Sequence, residues 1–145
     1  MLCEGRGLPI TVTVTPGQQH ESTQLETLLD QVHIGGKPGR PRQHFEAVAG
    51  DKGYDYPAAR QAIRKGGSQP VIAHRKLRDG TYPDCAADFD KAKYKRRNVI
   101  ERLIGKLKEF RHIATRYDKL AESFRCFVLL GFIRIWLKSL LSYTA

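Results

Sequence analysis

The chain has 145 residues, with 25 Lys and Arg against 15 Asp and Glu and a formal charge of +10. That length suffices for one domain with its own core, and an apolar fraction of 41% is too high for a disordered chain. A cationic excess of this size suggests a polyanionic partner, nucleic acid or an anionic membrane, against the plainer reading of a generally basic soluble protein. Cys3, Cys85 and Cys126 are odd in number and far apart, with no second Cys or His at zinc spacing. This disfavours a disulfide framework or a zinc site and suits a reducing cytoplasm. No signal peptide opens the chain. The apolar run from Phe127 to Ile133 is broken by Arg134 and Lys138, well short of the roughly 20 residues a bilayer span needs, so a buried helix is expected there.

In chain order, Ile10, Val12 and Val14 alternate with Thr11, Thr13 and Thr15, which predicts a half-buried strand over 8–17 ended by Pro16-Gly17. "EGRG" (4–7) reads as a hairpin turn. Only Met1, Leu2 and Cys3 precede it, so the partner strand is expected to be cut short and the sequence to begin inside a domain. Leu25, Leu28, Leu29 and Val32 share one face of a helix over 22–32, with Ser22 at its N-cap. A Gly/Pro-rich basic loop (34–43) leads to an apolar strand in "FEAVAGDKGYD" (45–55). Asp55 can cap the next helix, about 56–65, with Pro57 in its first turn and Gly66-Gly67 at its end. "QPVIAH" (69–74) is a short strand and 75–89 a loop. One long helix is predicted over about 90–113, with Asp88 and Asp90 at its acidic start. After a break at 114–118 a last helix follows, about 119–142. A hairpin followed by βαβ units implies an α/β domain with a mixed sheet.

Two places carry possible chemistry. Asp51 follows an apolar strand and precedes Gly53, where α/β sheets place ligands; an Asp that merely caps a turn fits equally well. In the long helix, Tyr94, Arg97, Glu101, Gly105, Lys108 and His112 fall within about 60° of one another at 100° per residue. Val99, Ile100, Leu103, Leu107 and Phe110 lie on the opposite, apolar side. Gly105 costs the helix about 1 kcal/mol relative to Ala. It either lets a ligand approach Glu101 or relieves packing, while Glu101 pairs with Arg97 one turn away. The cations from Lys91 to Lys119, Lys95, Arg96, Arg102 and Lys106 among them, far outnumber Glu101, Glu109 and Asp118. That imbalance favours a surface that tracks phosphates without reading sequence. The five histidines are dispersed. Trp136, with Phe127, Phe132 and Ile133, reads as core or subunit contact.

"DKGYD" (51–55) followed by Tyr94-x2-Arg97-x3-Glu101-x6-Lys108 resembles the signature of bacterial insertion-sequence DDE transposases of the four and five groups. "RRNVIERLIGKLKEFRHIATRYDKLAESF" (96–124) looks like the C-terminal catalytic segment of the five-type family, and "GLPITVTVTPGQQHES" (7–22) like its strand-and-turn region. The resemblance covers nearly the whole chain. It implies an RNase H-like mixed sheet with flanking helices, here without its first strand, as a single partial domain over 1–145 with C-terminal helices. It also implies metal-dependent cleavage and strand transfer on element-end and target DNA, by two Mg²⁺ or Mn²⁺ ions on three carboxylates. By motif position Asp51 matches the second Asp and Glu101 the final Glu, both catalytic and metal-binding. Lys108 would meet a DNA phosphate, and Arg97 and Tyr94 would orient Glu101 or contact DNA.

The resemblance departs in one respect. The first Asp belongs on a strand upstream of "LPITVTVT", and Glu4 lies in a turn. The expectation is therefore a chain with two of three carboxylates, inactive alone, either a remnant or the downstream frame of an element read in two frames. Its partners would be DNA and a second copy or an upstream-frame product, in the bacterial cytoplasm with the nucleoid and not at a membrane. The rival is a non-catalytic DNA-binding or oligomerisation fragment that regulates or inhibits transposition. A different RNase H-like nuclease is disfavoured by the Tyr-Arg-Glu-Lys spacing.

Overall fold

A computed structural model describes residues 1–19, 21–32, 45–81 and 89–142. The chain divides into two compact units, Met1–Gln19 with Asn98–Ala145, and His20–Arg97. The predicted mixed sheet appears among the described residues as two two-stranded sheets, one antiparallel and one parallel.

In the first unit, β1 (Leu2–Cys3) pairs antiparallel with β2 (Pro9–Thr11), with Leu2 opposite Thr11 and Cys3 opposite Pro9. The predicted turn between them is held by Glu4, whose Oε1 accepts from the Arg6 and Leu8 backbone N–H groups at 2.9 and 3.3 Å. Gly7 adopts φ +88°, the left-handed region that glycine enters at no steric cost. The strand predicted over 8–17 contracts to Pro9–Thr11, the stretch paired with β1. Val12 nevertheless continues inward and is buried.

The predicted long helix is three helices: α3 (Lys91–Lys95), α4 (Asn98–Lys108) and α5 (Arg111–Thr115). At the first break, Arg96 and Arg97 donate their N–H groups to the carbonyls of Lys93 and Tyr94, three residues back. Lys91, Lys93, Lys95, Arg96 and Arg97 crowd like charges there, and Asn98 favours a helix end over an interior. At the second break Phe110 is extended and its carbonyl accepts from Ile113 and Ala114. The break predicted near 114–118 is present, with Arg116 left-handed at φ 49°.

The last helix, α6 (Ala121–Ser142), matches its predicted span within two residues, but the run expected to be buried is so on one side alone: Val128, Gly131 and Phe132 are buried, whereas Leu129, Leu130 and Ile133 are exposed. Leu103 and Leu107 of α4 pack with Val12, Val128 and Phe132 into one core. Gly131 allows this approach: a Cβ there would lie 2.9 Å from Leu107 Cδ2 and 3.2 Å from Ile113 Cδ1. Trp136 ties α6 to the hairpin by donating from Nε1 to the Pro9 carbonyl at 2.8 Å. Among the described residues no helix is long and apolar enough to cross a membrane.

In the second unit a 3-10 turn (Glu21–Gln24) leads into α1 (Leu25–Asp30). Ser22 therefore lies inside the turn, and Gln24 takes the N-cap position in its place. The segment β3 (Ala47–Gly50), α2 (Pro57–Lys65) and β4 (Gln69–Ile72) forms the predicted βαβ unit, with β3 and β4 parallel and Gly50 opposite Ile72. Leu25, Val48, Ala59, Ile63 and Ile72 make its core. Pro57 opens α2 as predicted and Gly66 closes it, but Tyr56 holds the cap and Asp55 is drawn elsewhere. Asp90 caps α3, accepting from the Lys93 N–H at 2.8 Å. The basic loop predicted over 34–43, Cys85 and Asp88 lie outside the described residues.

Candidate functional site

The carboxyl end of β3 carries Asp51. The strand ends at Gly50, Asp51 remains extended, and a 3-10 turn (Lys52–Tyr54) follows at once. Asp51 Oδ1 accepts from the Gly53 N–H at 2.7 Å, so the turn-capping reading of this acid holds. The two readings are compatible, because the cap fixes an exposed carboxylate at the end of parallel strands where such sheets bind ligands. Gly53 is part of the fixing: a Cβ on it would sit 2.8 Å from Asp51 Oδ1. Any larger residue must push the carboxylate aside.

Beside this turn lies a group that the sequence reading assigned to a helix cap. Asp55 Oδ1 accepts from Arg60 Nη2 at 2.7 Å and Nε at 3.1 Å, and Oδ2 accepts from the Arg75 N–H at 2.6 Å. His74 Nδ1 lies 3.5 Å from Asp55 Oδ1 and 3.2 Å from Arg60 Nη2. Arg60 also donates to the Ile72 carbonyl at 2.9 Å, and Arg75 Nε to the Lys52 carbonyl at 2.9 Å. The side chains of Asp55, Arg60 and His74 are all nearly buried. Burial by itself would raise the Asp55 carboxyl. The Arg75 N–H, the hydrogen bonds and charge of Arg60, and His74 outweigh it and hold the group below its ordinary value. This network braces the Asp51 turn from behind, through Lys52, against α2 and the end of β4. Its only sequence signal was the Arg five residues after Asp55 and a His-Arg pair ending the next strand.

Tyr94 and Arg97 also belong to this second unit and meet directly. The Arg97 guanidinium lies 5.7 Å from the Tyr94 ring centroid, and Tyr94 packs edge-on against Phe89 at 5.1 Å. Lys95 and Arg96 are exposed at the end of α3.

Glu101 belongs to the first unit, in the first turn of α4, where an acid suits the helix dipole. It shares the exposed side of α4 with Arg102, Lys106 and Lys108, opposite buried Leu103 and Leu107. The predicted stripe is therefore helical only from Glu101 to Lys108. Its lower end turns off at Arg96–Arg97. At its upper end, His112 stacks on Phe127 at 4.5 Å as part of the α5–α6 packing. A Cβ on Gly105 would meet no described atom within 4 Å, so packing within the fold does not explain that glycine.

Hard divalent ions take several oxygen donors. Among the described residues no three His, Cys, Asp or Glu side chains gather to hold a metal, and one Asp51 oxygen is already engaged. The donors described do not by themselves fit a two-metal site.

Comparison with known proteins gives a consistent answer. Residues 1–136 match the family described as "Transposase DDE domain". A Burkholderia cepacia protein named as transposase for insertion sequence element IS402 is 32% identical over 132 residues, 90% of this chain and 58% of its own length. A Brucella ovis protein named likewise for element IS6501 is 29% identical over 132 residues, 91% of each chain. The chain thus spans little more than half of the first relative and nearly all of the second. No solved structure gives a significant match.

Proposed function

The chain belongs to the transposase DDE domain family, and from that premise we propose that it is the C-terminal catalytic part of an insertion-sequence transposase of the four/five group. We read its two units as parts of one RNase H-like catalytic domain, working on element-end and target DNA in the bacterial cytoplasm. Asp51 carries the proposal: it is an exposed carboxylate at the end of β3, oriented by Gly53 and braced by the Asp55 network.

In this reading Asp51 and Glu101 are the second and third acidic residues of the motif. Each holds negative charge at a fixed backbone position, Asp51 through its turn and Glu101 through the first turn of α4. Lys108 takes a DNA phosphate. Lys95, Arg96, Arg102 and Lys106 track the backbone around it, and Arg97 stiffens against the Tyr94 ring. Divalent ions, Mg²⁺ or Mn²⁺, would supply charge stabilisation for phosphodiester cleavage in a complete site with a third carboxylate.

A polypeptide of these 145 residues has two of the three motif acids, so it is proposed to bind DNA without cutting it. We propose α6 as the surface for self-association, because Leu130, Ile133, Leu137, Leu140 and Leu141 are more than half exposed there. The purified polypeptide, mixed with terminal-repeat DNA in Mg²⁺ or Mn²⁺, is expected to bind with a steep salt dependence and leave both strands intact. Cleavage by it would overturn the incomplete-site reading. Absence of any DNA binding would overturn the DNA role itself.

A further inference from the structure

Within the first unit, the hairpin turn, α4 and α6 enclose a cleft of about 450 Å³ that the motif residues do not account for. Four cations line it: Arg6 from the turn, Lys106 from α4, and Arg134 and Lys138 from α6. Arg134 and Lys138 are one helical turn apart on the same side of α6. The Arg134 guanidinium lies 5.1 Å from the centroid of the Phe110 ring, which holds it at the wall. Ser139 and Ser142 add hydroxyls.

The charge balance decides what such a cleft can take. Arg6 is answered by Glu4 at 3.2 Å, and Glu109 is the acid in the lining. Lys106 and Lys138 form no ion pair with another described residue. Setting Glu109 against one cation still leaves two positive charges facing open solvent. Like charges gathered in one cleft repel, and a bound polyanion would relieve that repulsion.

We infer that this cleft is a second DNA-backbone site, in which Arg134 and Lys138 take phosphates of duplex DNA beside Lys106 of the first surface. It rests on the transposase reading for the identity of the polyanion and extends it to residues outside the motif. The site engages phosphates and carries no base readout, so its contribution is electrostatic and indifferent to sequence.

The test is the salt dependence of duplex binding by the 145-residue chain. Removing one cation that neutralises a phosphate is expected to lower the slope of log affinity against log salt concentration by about one. The Lys138→Gln variant should weaken binding equally for terminal-repeat and unrelated duplexes and lower the slope by about one. Arg134→Gln with Lys138→Gln should lower it by about two. Lys138 is exposed and forms no ion pair among the described residues, so the single variant tests the site even where the double variant disturbs the Phe110 wall. An unchanged slope in Lys138→Gln, with a reduced one in Arg102→Gln, overturns the cleft and leaves the transposase reading intact. No duplex binding by the unaltered chain overturns both, and preferential binding of an acidic peptide over duplex overturns the assignment to DNA.

Discussion

At the scale of single residues, the acids that matter are held by backbone geometry and by neighbours the motif does not name. Asp51 was legible in the sequence as an acid just past a buried strand, and the structure bears out its turn-capping reading while leaving the carboxylate exposed, as the proposed catalytic role requires. The helix-cap reading of Asp55 fails. Local spacing favours that role, but the partners that claim the side chain come from Arg60 and Arg75, and Arg75 is twenty residues away. Long-range pairing of this kind leaves no periodic trace. Because the folded Asp55 carboxyl sits below its ordinary value of 3.8, its stabilisation is present above that value and is lost as pH falls through the folded one. Asp55→Asn should therefore cost roughly 1–3 kcal/mol near neutral pH, with the gap from the unaltered chain closing in acid. Urea unfolding at the two pH values checks this, and a gap that widens in acid contradicts it. Gly53→Ala should behave differently. The atom it displaces is the end of the Asp51 side chain, so the predicted stability loss is about 1 kcal/mol or less. Catalysis by a transposase containing the segment should fall sharply, and a transposition assay beside a thermal melt separates the two effects.

At the scale of elements, periodicity placed the helices better than it placed their ends. The apolar seam of Leu103 and Leu107 is where the 3.6-residue period put it. The single helix from 90 to 113 was an over-reading, because periodicity does not register a cluster of like charges or a return of the chain at Phe110. The two glycines of the helices now separate. Gly131 is required by packing, since a methyl group would press on buried Leu107. Gly131→Ala should destabilise the chain by about 1–3 kcal/mol despite its better helix propensity, measurable by denaturant titration. Gly105 has no such neighbour. Gly105→Ala should stabilise α4 by up to about 1 kcal/mol, and a loss of DNA affinity in that more stable variant would mark the open strip beside Glu101 as a contact surface. Destabilisation by Gly105→Ala would contradict the open geometry.

At the scale of the whole molecule, composition pointed to a polyanion and the motif spacing to a DDE transposase family, and the family match over residues 1–136 bears out the second. The α/β class and the βαβ unit were legible because short apolar strands and turn residues alternate plainly. Division into two compact units was not, since the boundary at Arg97–Asn98 falls inside a stretch whose pattern reads as continuous helix. The same boundary puts Asp51 in one unit and Glu101 in the other, so the joint role of these two acids is the central claim. The most direct measurement is transposition frequency from an active element whose transposase contains this segment, compared with Asp51→Asn and Glu101→Gln, with DNA binding followed in parallel. Each substitution is predicted to abolish transposition while end-DNA affinity stays near that of the unaltered protein. Transposition retained at comparable frequency by either variant would contradict the account.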